Sequence, residues 1–300
     1  MVKSVIISGG NGFIGSHLVK QLIKENYDPV VLLRPGSNLK RLESIKNLKK
    51  LITDNYEDKK IIRELISYSP IYFFHCAWGG VLGSKRNDKR QSENVNLVIK
   101  SIKLTKEIGC SKWTGLGSHA EYGNLNEILT EESKCNPTTL YGKNKLKSCM
   151  KSMQLCKSYG IIGNWIRVFN TYGPYDNQSW LIPYIIKSLK QNKSPNLTEC
   201  NQIWDYLHVT DAVKAIIKVS EVSKGGVFNL GSENPRKLKE FISIITNEVK
   251  SKKVNFGKIP YRKDQVMYLH PDVTKIKKIT SWAPKVSFES GVKQLINLVR

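Results

Sequence analysis

Val5-Ile6-Ile7-Ser8-Gly9-Gly10-Asn11-Gly12-Phe13-Ile14-Gly15 lies almost at the start of the chain, and its reading decides the fold. Three β-branched residues make a strand, glycines at 9, 12 and 15 make a turn, and a helical pattern opens at Phe13. Each glycine has its own task. Gly9 permits the sharp turn, Gly12 lets backbone approach a pyrophosphate, and Gly15 lets helix and strand pack tightly. The amides around Phe13 and Ile14 then face an anion, with the positive end of the helix dipole behind them. Strand, glycine turn and helix in that order predict a dinucleotide site at the head of a βαβ unit.

The alternation continues. Strands are expected at Lys3–Ser8, Pro29–Leu33, Lys50–Thr53, Ile71–Ala77, Lys112–Leu116 and Ile161–Phe169. Helices are expected between them at Phe13–Lys24, Lys59–Ser67, Asp88–Ile108 and Thr139–Ser158. Nearly continuous apolar strands separated by helices predict a parallel sheet covered on both faces. Right-handed crossovers make it an α/β, doubly wound, Rossmann-type fold. After Asn170 the pattern changes: Tyr172-Gly173-Pro174 breaks the chain, and helices alternate with short strands to the end. The expectation is a dinucleotide-binding domain over 1–170, with returning segments near 204–231, and a smaller mixed C-terminal substrate domain over 171–300.

The end of the second strand chooses between cofactors. A carboxylate there would bond the ribose hydroxyls of NAD and repel a 2′-phosphate. This chain has Arg34, then Ser37, with Lys40 and Arg41 close by. A guanidinium grips a phosphate through charge-assisted bonds, so NADP (NADPH) is expected, with NAD as the alternative. Asp54 and Asn55, where the third strand ends, are placed to reach the adenine ring.

A second stretch, Tyr141-Gly142-Lys143-Asn144-Lys145, sets a Tyr and a Lys on one helix face. A free phenol has a pKa of about 10, too high for efficient proton exchange at neutral pH, and a nearby ammonium is expected to lower it. Ser118 follows the fifth strand and can hold a substrate oxygen. A phenol that exchanges a proton beside a dinucleotide implies hydride chemistry at a carbonyl or carbinol carbon. His119 adjoins Ser118 as a polar wall residue or a second acid, and His75 and His17 read as packing residues.

Composition excludes other classes. At 40% hydrophobic, the 300-residue chain can bury a large core, yet it has no apolar run long enough to span a bilayer. No secretion signal is visible, and the six cysteines show no Cys-x-x-Cys pair, so a cytoplasmic protein without a metal site is expected. Lys and Arg number 48 against 25 Asp and Glu, a net charge of +23. The surplus is mostly Lys and is spread along the chain, which fits solvated faces rather than nucleic-acid readout. It still draws anionic small molecules toward the protein.

With these residues in view, the chain resembles the extended short-chain dehydrogenase/reductases that act on nucleotide sugars, over nearly its whole length. The likeness rests on the glycine turn, His75-Cys76-Ala77, Asn94-Val95, Ser118 to Tyr122-Gly123, Tyr141 to Lys145 and Arg167-Val168-Phe169-Asn170-Thr171-Tyr172-Gly173-Pro174. Trp204-Asp205-Tyr206-Leu207-His208-Val209 and Trp282-Ala283-Pro284 extend it. The resemblance implies a catalytic triad of Ser118, Tyr141 and Lys145, with Lys145 also bonding the nicotinamide ribose. It implies that Cys76, Ala77 and Trp78 line the middle of the cofactor. Ser118 and His119 would face the sugar, and Asn170 and Arg262, in Tyr261-Arg262-Lys263-Asp264, would meet the substrate phosphates. Asn94 is read as satisfying a kinked helix backbone. Trp204 stands where many relatives have Arg, which puts one phosphate or base contact in doubt.

Dehydratases of this family carry Asp-Glu right after the Ser or Thr, and here His119-Ala120 stands instead. Glu121 is expected to point away by strand alternation. The segments around Ser118 and Trp204 are most similar to reductases of 4-keto-6-deoxy nucleotide sugars. The expected partner is a nucleotide-diphosphate sugar, reduced at C4 with NADPH. The alternatives are a 4-epimerase with tightly bound NAD and a non-catalytic dinucleotide- or RNA-binding member. Leu97, Ile102, Leu146 and Met150 on the third and fourth helices read as apolar residues of outer faces, where a homodimer would form, or equally as core packing.

Overall fold

A computed structural model describes residues 3–251, 253–262 and 264–298. Lys263, quoted above, lies outside the described residues. Seven parallel strands form the central sheet: β1 (Lys3–Ser8), β2 (Tyr27–Leu33), β3 (Lys49–Ile52), β4 (Tyr72–His75), β5 (Lys112–Ser118), β6 (Ile162–Val168) and β7 (Gly226–Leu230). Their spatial order is β7-β6-β5-β4-β1-β2-β3, each pairing with its neighbour in parallel. The chain builds outward from β1 through β2 to β3, then returns to place β4 on the other side of β1. That reversal opens a crevice beyond the carboxyl ends of β1 and β4, the usual ligand position in such sheets. The fold is α/β and Rossmann-like.

Apolar residues run unbroken through the inner strands because both faces are covered. Val5, Ile6 and Ile7 of β1 are all fully buried. On one face α1 (Phe13–Lys24) brings Leu18, Val19 and Leu22 against the sheet. Burying each contributes about 1.5–3 kcal/mol. The other face is covered by α2 (Lys59–Ser67), α3 (Gln91–Glu107) and α4 (Leu140–Ser158). A separate apolar cluster joins α5 (Leu181–Lys190), α7 (Leu238–Val249) and α9 (Phe288–Leu298) through Ile185, Phe241 and Val292. The intervening α6 (Val209–Glu221) and β7 return to the large sheet.

Several boundaries moved. The expected helix Asp88–Ile108 starts later, at Gln91 of α3, and a 3-10 turn, Gly83–Asn87, precedes it. Asp88 sits in extended conformation, and its carboxylate accepts from the amide and guanidinium of Arg90, which delays the helix. The helix α8 (Thr274–Thr280) was not foreseen, nor was the pairing of three short ribbons. Each ribbon pairs two or three residues with partners far along the chain, which no local pattern encodes. The outward placement of Ile102 is corrected: it is fully buried under the sheet. Leu97 and Leu146 are half-buried, and only Met150, at 66%, is largely exposed. Among the described residues no helix is long and apolar enough to cross a membrane.

Candidate active site

The glycine turn sits at the mouth of the crevice. Gly9 has φ of 72°, where glycine is favoured, and a Cβ there would strike the backbone of Cys76 and Ala77 at the end of β4. A Cβ on Gly15 would run into the Gly9 carbonyl oxygen. Gly12 differs. Its backbone is ordinary, and a Cβ would meet only the Gly9 oxygen at 3.2 Å, so glycine here leaves space above the helix start. Gly12 also caps α1 without a side-chain acceptor, and no acidic residue lies in the first turn. The leading amides, at Phe13 and Ile14, are thus available to an anion. A pyrophosphate fits this cradle.

Around it lie the other expected cofactor residues. Arg34 is exposed immediately after β2, and the turn that follows is closed by the Ser37 amide donating to the Arg34 carbonyl at 3.1 Å. Arg41 is committed to backbone, donating to the Tyr175 and Asn11 carbonyls at 2.9 and 3.5 Å. Arg34 forms no ion pair among the described residues. Asp54 is exposed beyond β3, while the Asn55 side chain caps the Glu57 amide at 3.0 Å. Cys76, Ala77 and Trp78 are half-buried and follow β4 directly.

The second group converges on the same rim. Ser118 ends β5 and is buried, and its Oγ accepts from the Ala120 amide at 3.2 Å. Tyr141 lies in the first turn of α4, whose Thr139 cap accepts from the Gly142 amide at 3.1 Å. Burial pushes the Tyr141 phenol up, the Ser118 hydroxyl and Arg86 pull it down, and Glu121 adds to the rise. Lys145 is buried beneath. Its Nζ donates to the Leu116 carbonyl at 2.7 Å and lies 3.6 Å from the centre of the Trp78 ring. Burial lowers the Lys145 ammonium, with Glu121 and Cys76 opposing.

One expectation is widened: Lys145, 5.8 Å from the Tyr141 ring centre, shares that ring with a second cation, Arg86, at 4.6 Å. Sequence reasoning missed Arg86 because it belongs to a loop without periodicity. Glu121 is corrected as well. A 3-10 turn, His119–Glu121, follows Ser118 in place of strand, and it swings the carboxylate inward to complete burial. There Glu121 accepts from the Ser118 amide at 2.8 Å, Trp165 Nε1 at 3.0 Å and Arg167 Nε at 2.9 Å. The Ser118-x-x-Glu121 capping box was the available clue.

Asn94 serves the loop after β4 rather than its own helix: its side chain accepts from the Gly79 amide at 2.8 Å and donates to the Gly79 carbonyl. His119 is driven down to about 3 by burial, so it is neutral, and its Nδ1 is buried with no hydrogen-bond partner among the described residues. Asn170 donates to the Asp205 carbonyl at 3.1 Å. Arg262 is 66% exposed in the C-terminal part. His75 bonds Ser8 at 2.8 Å and His17 bonds the Pro174 carbonyl at 2.8 Å, both structural contacts. Trp204 donates to the Val266 carbonyl at 2.8 Å.

A phosphate cradle and a Ser-Tyr-Lys group on one rim define a dinucleotide-dependent enzyme of the oxidoreductase type. Residues 5–231 match the model of the NAD dependent epimerase/dehydratase family, and the chain belongs to that family, the extended short-chain dehydrogenase/reductases. It is similar to CDP-abequose synthase of Salmonella muenchen, at 24% identity over 99% of this chain and 98% of the relative. It is 27% identical to UDP-N-acetyl-alpha-D-glucosaminuronate decarboxylase of Bacillus cytotoxicus, over 100% of this chain and 98% of that one. Among solved structures it resembles UDP-glucose 4-epimerase with UDP-glucose from Thermotoga maritima. There the TM-score is 0.87 at 25% identity, over 98% of this chain and 97% of that one.

Proposed function

We propose that this protein reduces the C4 keto group of a nucleotide-linked 4-keto-6-deoxy sugar with NADPH. The observation that carries the reading is the convergence of Ser118, Tyr141 and Lys145 on the rim that holds the glycine cradle. The exposed Arg34 guanidinium supports NADPH over NADH, since it can pair with a 2′-phosphate. The similarity to CDP-abequose synthase over almost the full length supports the substrate class.

Bound NADPH would supply the hydride for C4. Tyr141 donates its proton to the C4 oxygen as negative charge develops there. Ser118 holds that oxygen in place, and Lys145 steadies the nicotinamide ribose. The neutral His119, with its unpartnered Nδ1, offers a further contact to a sugar hydroxyl. Holding both reactants converts a bimolecular reduction into a nearly unimolecular one. Water loss is disfavoured as an activity. The carboxylate of Glu121 is already occupied by Ser118, Trp165 and Arg167, and no other acid follows Ser118 in the turn.

The test is a panel of dTDP-, UDP- and CDP-linked 4-keto-6-deoxy sugars with NADPH or NADH, with product stereochemistry read by NMR. Stoichiometric NADPH oxidation with a C4 carbinol product is expected. Tyr141→Phe should cut turnover by about two to four orders of magnitude while leaving NADPH binding nearly intact. The second reading, a 4-epimerase, is favoured by the likeness to UDP-glucose 4-epimerase. It predicts cofactor retained through purification and C4 inversion without net NADPH consumption, and that result would replace the reductase reading.

A further inference from the structure

Arg86 has no role in the reading above, yet it is half-buried against Tyr141. Its guanidinium lies over the Tyr141 ring, 4.6 Å from the centroid, and it forms no ion pair among the described residues. Its charge is felt at His119, and the charges of Arg262 and Asp264 are felt at Arg86.

The loop that presents it is held rigidly. Gln91, buried at the start of α3, donates to the carbonyls of Gly80 at 2.7 Å and Lys85 at 2.9 Å. The same side chain accepts from Trp78 Nε1 at 2.9 Å. One amide therefore fixes both the indole against Lys145 and the backbone that carries Arg86. A planar guanidinium suits this place: it stacks on an aromatic face and stays charged even when partly desolvated.

We propose that Arg86 is a positioning residue for proton transfer: set against the Tyr141 ring, it holds the phenol toward Ser118 and adds a second positive charge beside it, nearer than Lys145. The inference rests on Tyr141 being the proton-transfer group. The charged and titratable groups around the pair are Lys145 from α4, Glu121 and His119 from the turn after β5, Cys76 beyond β4, and Arg262 and Asp264 from the C-terminal part. Burial and Glu121 raise the phenol, and Arg86 is the cation that opposes them. A single charge at this range moves a pKa by about 1–3.

The full-length protein as purified, labelled with 13Cζ-tyrosine, tests this by NMR titration between pH 7 and 12, with Tyr141→Phe assigning the resonance. Arg86→Met should raise the Tyr141 midpoint by about one pH unit or more, and Arg86→Lys should restore at least half of the difference. The kinetic companion uses dTDP-4-keto-6-deoxyglucose and NADPH. In the reduction, where Tyr141 must be protonated, the alkaline limb of kcat moves up with the phenol in Arg86→Met. In the reverse oxidation, which needs phenolate, kcat at pH 7 falls about tenfold for each pH unit by which the Tyr141 midpoint rises. KM for the sugar nucleotide stays within about twofold.

An unmoved Tyr141 resonance overturns the proposal. So does a loss confined to KM, which would make Arg86 a substrate anchor instead. A shifted resonance in a protein that reduces no 4-keto sugar supports the role of Arg86 and sinks only the proposed substrate. Native-like circular dichroism of both variants separates these outcomes from misfolding.

Discussion

Replacing Glu121 with Gln should be among the most damaging single changes in the core. The carboxylate is fully buried and answers three donors: the Ser118 amide, the Trp165 indole and the Arg167 guanidinium. Arg167 is itself buried, and its other acceptors, the Tyr122 hydroxyl and the Glu131 carbonyl, carry no formal charge that could replace Glu121. Glu121→Gln therefore strands a cation, at a cost of about 3–5 kcal/mol. Unfolding entropy near 2.1 cal/mol/K per residue, over 300 residues, is about 0.6 kcal/mol/K. A loss of about 4 kcal/mol then lowers Tm by about 6 °C. Thermal and denaturant unfolding followed by circular dichroism read the change. Adding Arg167→Met to Glu121→Gln removes the stranded charge, so the double variant should lose less than the sum of the singles, by about 2 kcal/mol. A cost under about 1 kcal/mol for Glu121→Gln, or simple additivity of the two changes, would refute a stranded charge. Activity offers a second check. Burial drives the Lys145 ammonium down and Glu121 holds it up, so in Glu121→Gln the fraction charged at neutral pH falls and activity should recover as pH is lowered.

Four further substitutions test other parts of the structure. Gly15→Ala must displace the Gly9 carbonyl and should weaken NADPH binding at least about tenfold while lowering Tm. Gly12→Ala meets only an atom at 3.2 Å, so it should fold normally and still lose affinity, as read by NADPH fluorescence. Arg34→Glu should raise KM for NADPH by about tenfold or more and leave that for NADH nearly unchanged; equal effects on both would remove the 2′-phosphate contact. Burial holds the Asp176 carboxyl up at about 7, from an ordinary 3.8. The folded state thus keeps a proton that the unfolded chain releases between those values. Its stabilisation is complete below the lower value and is lost as pH rises through the upper one, by about 4 kcal/mol in all. Asp176→Asn should gain on the parent protein between pH 4 and pH 8 in urea unfolding, and a constant difference would refute this assignment.

What could be read directly from the chain was whatever depends on near neighbours. The glycine turn, the unbroken apolar strands and helices such as Phe13–Lys24 and Lys59–Ser67 show themselves because periodicity and turn chemistry act within a few residues. Tyr141 and Lys145 were visible as a pair because helix geometry sets their spacing. Their relation to each other was not. Tertiary contacts put Lys145 on the Leu116 carbonyl and the Trp78 ring, and set Arg86 nearer than Lys145 to the phenol ring.

The same holds for Glu121 and Asn94. A period-two reading turned one outward, and a helix-local reading kept the other to itself. In the structure the first closes a capping box into a buried ion pair, and the second pins the loop that carries Arg86. The linear order of residues determined a Rossmann-like sheet, a glycine turn at a helix start and a Ser-Tyr-Lys set, all encoded by short-range spacing. Only the folded molecule decided which charges sit together in low dielectric, because those energies depend on distances between segments dozens of residues apart.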